Sequence, residues 1–286
     1  YFQLDQIHLG HAALLEVANQ RFLSQERLNR EGWDATAATN RLEVRNGNWT
    51  LQTAPDATHP EAMDLHASVR AEAQFSLHLV PQKPLVVFGT NGVSRKAREP
   101  GAASHYLTYT RLAATGTVRV GAREAAVTGL AWMDHEFSSS QLGEDQVGWD
   151  WACLQLRDGR EIMAYRMRRA DGAIDPFSTL AWIDRQGTVR HVGAADFGWQ
   201  SLGQWKSGAT GAAYPAGILI SATDPATGRP ERFRLKPLAP NQELEGGLGG
   251  IPYWEGACQV LDESGKEIGQ SFLELTGYAG SMKGKL

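Results

Sequence analysis

The chain has few cysteines, little net charge and no long apolar run. Its two cysteines, Cys153 and Cys258, form no CxxC pair and belong to no cysteine and histidine cluster at zinc spacing. We expect two buried free thiols, with a disulfide as the alternative, because free cysteine is among the most buried residue types. A net charge of -4 provides no basic surface for nucleic acid or an anionic membrane. No apolar run approaches the roughly 20 residues of a membrane span.

Convincing amphipathic helical windows are also missing. Instead, short apolar runs alternate with turn signals about every 8 to 12 residues, which is typical of barrels and sandwiches. The 31 glycines and 12 prolines suit a chain with many turns. The sequence therefore predicts an all-β fold, and 286 residues suffice for two domains or one large one.

Several segments predict particular strands and turns. From Met63 to Leu79 every odd position is apolar, and this period of two predicts strand with one buried face. Three hairpins are predicted, one around Asn46-Gly47 in residues 42–53, one from residues 106–112 and 116–120, and one from residues 180–184 and 188–192.

The most informative stretch runs from Thr128 to Trp151. Strand alternation divides it into faces, with Leu130, Trp132, Asp134 and Glu136 on one side and Ala131, Met133 and His135 on the other. The second half places Trp149, Trp151 and Cys153 opposite Asp150, Ala152, Leu154 and Leu156. We predict that the two halves form an antiparallel hairpin with an acidic, tryptophan-rich wall.

These segments carry a family resemblance. The stretches GLAWMDHEFSSSQL, GWDWACLQLRDGREIMAYRMRRADG, YWEGACQV and SFLELTGYAG, with Tyr214-Pro215, resemble the AttH-like, CrtC-like lipocalin-like family related to carotenoid 1,2-hydratases such as hydroxyneurosporene synthase. The resemblance covers nearly the whole chain. It implies two consecutive lipocalin-like antiparallel β-barrel domains, residues 1–127, lacking their first strands before Tyr1, and residues 128–286.

The resemblance also implies kinship with enzymes that add water to an isolated isoprenoid double bond, and more distantly with fungal cyclases and pericyclases. Other bacterial members are described as secreted hydratases, or as an AttH component beside an ABC transport system. A periplasmic or cell-envelope location is therefore expected. Family membership determines fold better than reaction.

Alkene hydration needs a strong acid but no cofactor or metal. A buried carboxyl that holds its proton at neutral pH can serve, and aromatic rings can stabilise the resulting cation. The catalytic candidates are Asp134, Asp150, Glu136 and Tyr165, with Glu255 and Glu274 in second rank. The candidates for substrate binding are Trp132, Trp149, Trp151, Trp254 and His135. Only Asp134 and Glu136 share a face on which both could reach one metal ion.

Each candidate also has a structural interpretation. Asp134 and Glu136 could belong to an ion-pair network with Arg166 or Arg168, and buried tryptophans are more often core than ligand platform. The motifs GxSxG and HExxH and a dinucleotide-binding fingerprint are absent. Three hypotheses remain open: a hydratase or cyclase-like isomerase, a cell-envelope protein that binds lipid or another apolar ligand for a transport partner, and a structural protein without a cavity.

Overall fold

The structure is a computed structural model that describes residues 6–54, 58–138, 140, 142–248 and 251–282. The strands of this part are β1 Ile7–Glu16, β2 Arg21–Arg30, β3 Ala35–Ala37, β4 Glu43–Asn46, β5 Trp49–Thr53, β6 Met63–Val69, β7 Ala73–Pro81, β8 Val86–Val87, β9 Ser94–Arg95, β10 Ala103–Val120, β11 Arg123–Ser138, β12 Gln146–Leu156, β13 Glu161–Arg169, β14 Thr179–Ile183, β15 Val189–Gly193, β16 Phe197–Ser201, β17 Trp205–Lys206, β18 Ala213–Tyr214, β19 Ile218–Thr223, β20 Pro230–Pro237, β21 Glu243–Leu244, β22 Tyr253–Leu261 and β23 Glu267–Leu275. One short 3-10 helix, Val17–Asn19, accompanies them, and the described residues include no helix long and apolar enough to cross a membrane. The predicted all-β fold of two lipocalin-like barrel domains is confirmed.

The chain divides into two compact units. Unit 1 comprises Tyr1–Gln82, Arg111–Trp132 and Gly246–Gly250, and unit 2 comprises Lys83–Thr110, Met133–Glu245 and Ile251–Leu286. The strands β10 and β11 each contribute residues to both units. The domain boundary expected at residues 127/128 stays a prediction.

Unit 1 contains the β1–β2 hairpin and an antiparallel run of strands from β3 to β7. The predicted hairpin at Asn46-Gly47 is confirmed as β4 and β5, with Gly47 at a φ of +64°. A side chain at Gly47 would be strained by that φ and would meet the guanidinium of Arg27, so glycine is favoured there.

The alternating segment from Met63 to Leu79 forms two strands, β6 and β7, joined by a tight turn at Arg70. Val69 lies directly opposite Ala73, so the odd positions continue on the same face after the chain reverses. The period of two therefore persists through the turn, and alternation alone does not reveal it. The hairpin predicted from residues 106–112 and 116–120 is wrong, because these residues form one continuous strand, β10.

Unit 2 is built on a ten-stranded antiparallel sheet in the order β15-β14-β13-β12-β23-β22-β20-β19-β16, with β21 beside β22. The predicted hairpin of β14 and β15 is confirmed. Ala152, Leu154 and Leu156 of β12 join the large apolar core on one face of this sheet. Trp149 and Trp151 alternate with them and therefore lie on the opposite face, where both are half-buried.

The hairpin predicted within the stretch from Thr128 to Trp151 is wrong. Its first half lies in β11, which pairs with β10, whereas its second half lies in β12, which pairs with β13 and β23. Residues 139–145 separate the two halves. This connection is longer than a two-residue hairpin turn, so the local sequence sets no register between the two halves. Cys153 and Cys258 are buried free thiols, which confirms that prediction.

Candidate functional site

Four side chains form a row across the face of the unit 2 sheet that is turned away from its core. Tyr165 of β13 is paired with Trp151 of β12, Trp151 with Glu274 of β23, and Glu274 with Glu255 of β22. Directly opposite residues in adjacent antiparallel strands have Cβ atoms about 5 Å apart. The sheet register therefore places two carboxyl groups side by side and puts an indole next to Glu274.

Glu274 is one of two carboxyls in this row whose pKa is raised. Burial raises its pKa well above the usual range, and the nearby charges of Glu255, Asp134 and Glu136 raise it further, while a hydrogen bond from Trp149 opposes the shift. The indole Nε1 of Trp149 donates this bond to Oε1 of Glu274 over 3.2 Å. Burial also raises the pKa of Glu255 to about 7. Because two adjacent carboxylates repel each other, simultaneous ionisation of Glu255 and Glu274 is disfavoured, and the pair holds a proton more readily than an isolated carboxyl does.

Asp134 lies at the centre of a hydrogen-bonded chain. Its two carboxyl oxygens accept hydrogen bonds from the hydroxyls of Tyr106, over 2.9 Å, and Thr108, over 2.7 Å. Tyr106 in turn accepts a bond from the indole Nε1 of Trp151 over 2.9 Å. Burial, followed by the charges of Asp134 and Glu136, raises the pKa of Tyr106 well above its usual value, so this phenol stays protonated and donates. Asp134 remains exposed and is therefore accessible to a small molecule.

A buried lysine compensates part of this negative charge. Nζ of Lys96 lies 2.8 Å from the Glu136 carboxylate, which also accepts a hydrogen bond from Ser104. The same ammonium lies 4.2 Å from the ring centre of Tyr165 and 4.9 Å from that of Tyr106, within the range of cation–π attraction. The hydroxyl of Tyr165 lies 3.2 Å from that of Ser94, which fixes the ring.

Asp150 lies on the opposite face of β12 and is fully buried. The guanidinium of Arg168 lies 3.0 Å from its carboxylate, that of Arg166 lies 3.9 Å away, and the hydroxyl of Tyr278 donates to it over 3.0 Å. Burial raises the pKa of Asp150, and the two arginines oppose this shift. The arginines that the sequence offered as partners for Asp134 and Glu136 therefore pair with Asp150.

Asp150 with Arg166, Arg168 and Tyr278, here called the Asp150 cluster, also anchors the end of a strand. This end lies beside the row of Tyr165, Trp151, Glu274 and Glu255, here called the acid row. Arg168 donates a hydrogen bond to the carbonyl of Thr276, and its guanidinium stacks on Tyr278 at 3.9 Å. Arg168 reaches Thr276 across Gly148, where an added Cβ would lie 2.6 Å from the Thr276 carbonyl oxygen. The Thr276 hydroxyl accepts from the backbone N–H of Trp149 over 2.8 Å. The cluster thus holds the backbone of the residue that donates to Glu274.

The remaining substrate-binding candidates are Trp254, His135 and Trp132. Trp254 is buried in the core, where its indole donates to the carbonyl of Pro240 over 2.8 Å. His135 is exposed and packs edge-on against Phe137 at 5.6 Å. Trp132 lies in β11, is half-buried and belongs to unit 1. The binding roles of Trp132, Trp254 and His135 stay predictions.

The structure adds residues that the sequence ranked lower or missed. Glu255 and Glu274 were second-rank candidates, because their cross-strand pairing depends on a register that local sequence does not give. Tyr106 and Lys96 were missed, although Tyr106 alternates with Thr108 in a strand-like segment. Among the described residues, no three His, Cys, Asp or Glu side chains are placed to hold a metal ion together.

Fold and site together define a lipocalin-like all-β protein with a pair of high-pKa carboxyls flanked by indoles. The family model described as AttH-like matches residues 1–278, so the chain belongs to the AttH-like family. A crystal structure of an AttH protein (NE1406) from Nitrosomonas europaea is similar, with 28% identity and a TM-score of 0.86, covering 97% of this chain and 83% of the other.

Two more distant solved structures share the fold. Kievitone hydratase from Nectria haematococca matches with a TM-score of 0.73 at 13% identity, over 95% of this chain and 80% of the other. CghA with Sch210972 matches with a TM-score of 0.55 at 13% identity, over 91% and 78%. At these identities the likeness shows the fold alone. Comparison with curated proteins finds no match.

Proposed function

We propose that this protein is a hydratase that adds water to an isolated carbon–carbon double bond of an isoprenoid or another apolar polyene, with Glu274 as the general acid. The observation that carries the proposal is the cross-strand pair Glu255 and Glu274, whose pKa values are both raised, beside the indoles of Trp149 and Trp151. The kievitone hydratase of the same fold, a hydratase by its name, supports this reaction class.

The reaction begins when Glu274 transfers its proton to one alkene carbon and becomes a carboxylate. The other carbon becomes a cation, which the faces of Trp149 and Trp151 can stabilise by about 2 kcal/mol when water is excluded. A water oxygen then bonds to this carbon and gives its surplus proton to the carboxylate of Asp134. Return of that proton to Glu274 completes the cycle, so that the net change is addition of H and OH across the double bond. Loss of a different carbon-bound proton would instead give an isomer or a cyclised product.

Glu274 suits the acid role better than the two aspartates. Asp134 accepts hydrogen bonds from two hydroxyls, and donors of this kind favour the carboxylate form, which has no proton to give to an alkene. Asp150 faces the other side of β12 and is held by Arg166 and Arg168. Asp134 and Asp150 as acids remain the alternatives that substitution can compare.

The test is to incubate the protein with acyclic isoprenoids in water enriched in oxygen-18 and to detect labelled hydration products by mass spectrometry. We expect Glu274→Gln to reduce the rate by about 10² to 10⁴, the usual contribution of a general acid. Asp150→Asn and Asp134→Asn are the comparison variants, and binding of the alkene should survive Glu274→Gln. A wild-type rate in Glu274→Gln would contradict the assignment. Ligand binding without turnover by any variant would support the non-catalytic ligand-binding alternative.

A further inference from the structure

The sheet face that carries Glu274 changes its chemistry in steps along the strands. The row of directly paired side chains next to the acid row, in the direction from Glu274 towards the start of β23, consists of Met163, Cys153, Phe272 and Ala257. Two residues further, they are Glu161, Gln155, Gln270 and Gln259. Because positions separated by two residues share a face, a row of acids and aromatics, an apolar row, and a row of three glutamines with Glu161 follow one another on one face of the sheet. The β12 and β13 members Met163, Cys153 and Glu161 are buried.

Two members of this surface are open to a ligand. Phe272, in the apolar row, is 39% exposed although it is a large aromatic side chain. Gln270, in the row of glutamines, is exposed, and no hydrogen-bond partner for its amide is found among the described residues. Its neighbours are partly occupied, because Gln155 donates to the carbonyl of Thr110 over 2.8 Å and Gln259 donates to Glu267 over 2.9 Å.

We propose that Gln270 is a specificity-determining residue that binds a neutral polar group at the far end of the substrate, so that the substrate is an amphipathic alkene with a hydroxyl-type end group. The double bond lies at Glu274, the apolar chain crosses Phe272, and the polar end reaches Gln270. This inference rests on the proposed function for the position of the double bond.

The register sets the length of the substrate. Gln270 and Glu274 are four residues apart on one strand, which corresponds to about 14 Å at the rise of an extended chain. An amide side chain both donates and accepts hydrogen bonds, and Gln259 has a carbonyl oxygen left beside it. A hydroxyl matches this pair because it also donates and accepts.

The test measures binding of geraniol, farnesol and geranylgeraniol, with farnesoic acid for comparison, by isothermal titration calorimetry, and turnover is followed in parallel. Farnesol has a length between the other two and, extended, spans roughly the distance from Glu274 to Gln270. We expect farnesol to bind most tightly and Gln270→Leu to weaken its binding about tenfold, the loss of one hydrogen bond. Geraniol, which is too short to reach Gln270, should bind equally to both proteins. Gln200→Leu, at an exposed glutamine of β16, is the matched control and should leave all three affinities unchanged.

Equal weakening of geraniol and farnesol by Gln270→Leu, no weakening of either, or no binding of any of the three alcohols would overturn the proposal. A preference for farnesoic acid over farnesol would also overturn it, because a carboxylate would then be the group recognised. Failure of the hydratase function is distinguishable, since it would appear as Gln270-dependent binding of farnesol without any product.

Discussion

Replacing Glu255 by glutamine should change how the stability of this protein depends on pH. Burial raises the pKa of Glu255 from 4.5 to about 7, so the folded protein holds this proton more tightly than the unfolded chain does. The contribution of the protonated Glu255 to the free energy of unfolding is fully present below pH 4.5 and is lost as the pH rises through 7. The variant has no carboxyl at this position and should not show this loss.

The magnitude follows from the two pKa values. At about 1.4 kcal/mol per pKa unit, the difference between 4.5 and about 7 corresponds to about 3 kcal/mol. Glu274 adds to this, because the Glu255 charge helps to raise its pKa and the variant removes that charge. The free energy of unfolding of Glu255→Gln, relative to wild type, should therefore rise by about 3 kcal/mol or more between pH 4.5 and 8.

Urea denaturation at a series of pH values, followed by tryptophan fluorescence, measures this difference. Glu263→Gln is the matched control, because Glu263 is exposed on the turn between the same two strands and pairs with Arg232 at 3.5 Å. That control should follow the wild-type curve at every pH. Parallel curves for Glu255→Gln and wild type would show that the carboxyl is not held in a proton-retaining environment, and the acid chemistry proposed for this row would lose its basis.

Two further predictions concern the groups around this row. Trp149→Phe removes the hydrogen bond that lowers the pKa of Glu274, so the alkaline limb of the pH–rate profile should move to higher pH, and an unmoved limb would exclude Glu274 as the acid observed there. Arg168→Met leaves the buried Asp150 carboxylate short of its nearest cation and should reduce the free energy of unfolding by about 3 to 5 kcal/mol in urea. A loss below about 1 kcal/mol, as for a surface pair, would show that Arg166 alone satisfies Asp150.

Local sequence predicted much of the fold, because alternation and turn residues act over a few positions. The hairpin at Asn46-Gly47 was predictable since its turn needs a positive φ that glycine adopts freely. The turn at Arg70 was not, because Val69 and Ala73 keep the same face on both sides of it. The prediction that β11 and β12 pair was wrong for a related reason, because the local sequence between them sets no register.

The candidate site was predicted in part. Alternation placed Trp149 and Trp151 on one face and Asp150 on the other, and the structure agrees. It did not identify Glu255 and Glu274 as a pair of perturbed carboxyls. Their surroundings depend on β23 pairing with β22 on one side and with β12 on the other, and the β12–β23 pair joins Trp151 to Glu274 across more than 100 residues of the chain.

Side-chain types and their period of two specify the all-β class, the family and which residues of a strand share a face. The pairing of strands in the folded protein makes particular carboxyls neighbours and gives them their partners. Strand register brought Glu255 to Glu274 and gave Asp150 its two arginines. A pKa responds to burial and to charges within a few ångströms, and those distances depend on the register between paired strands, which alternation within one strand does not specify.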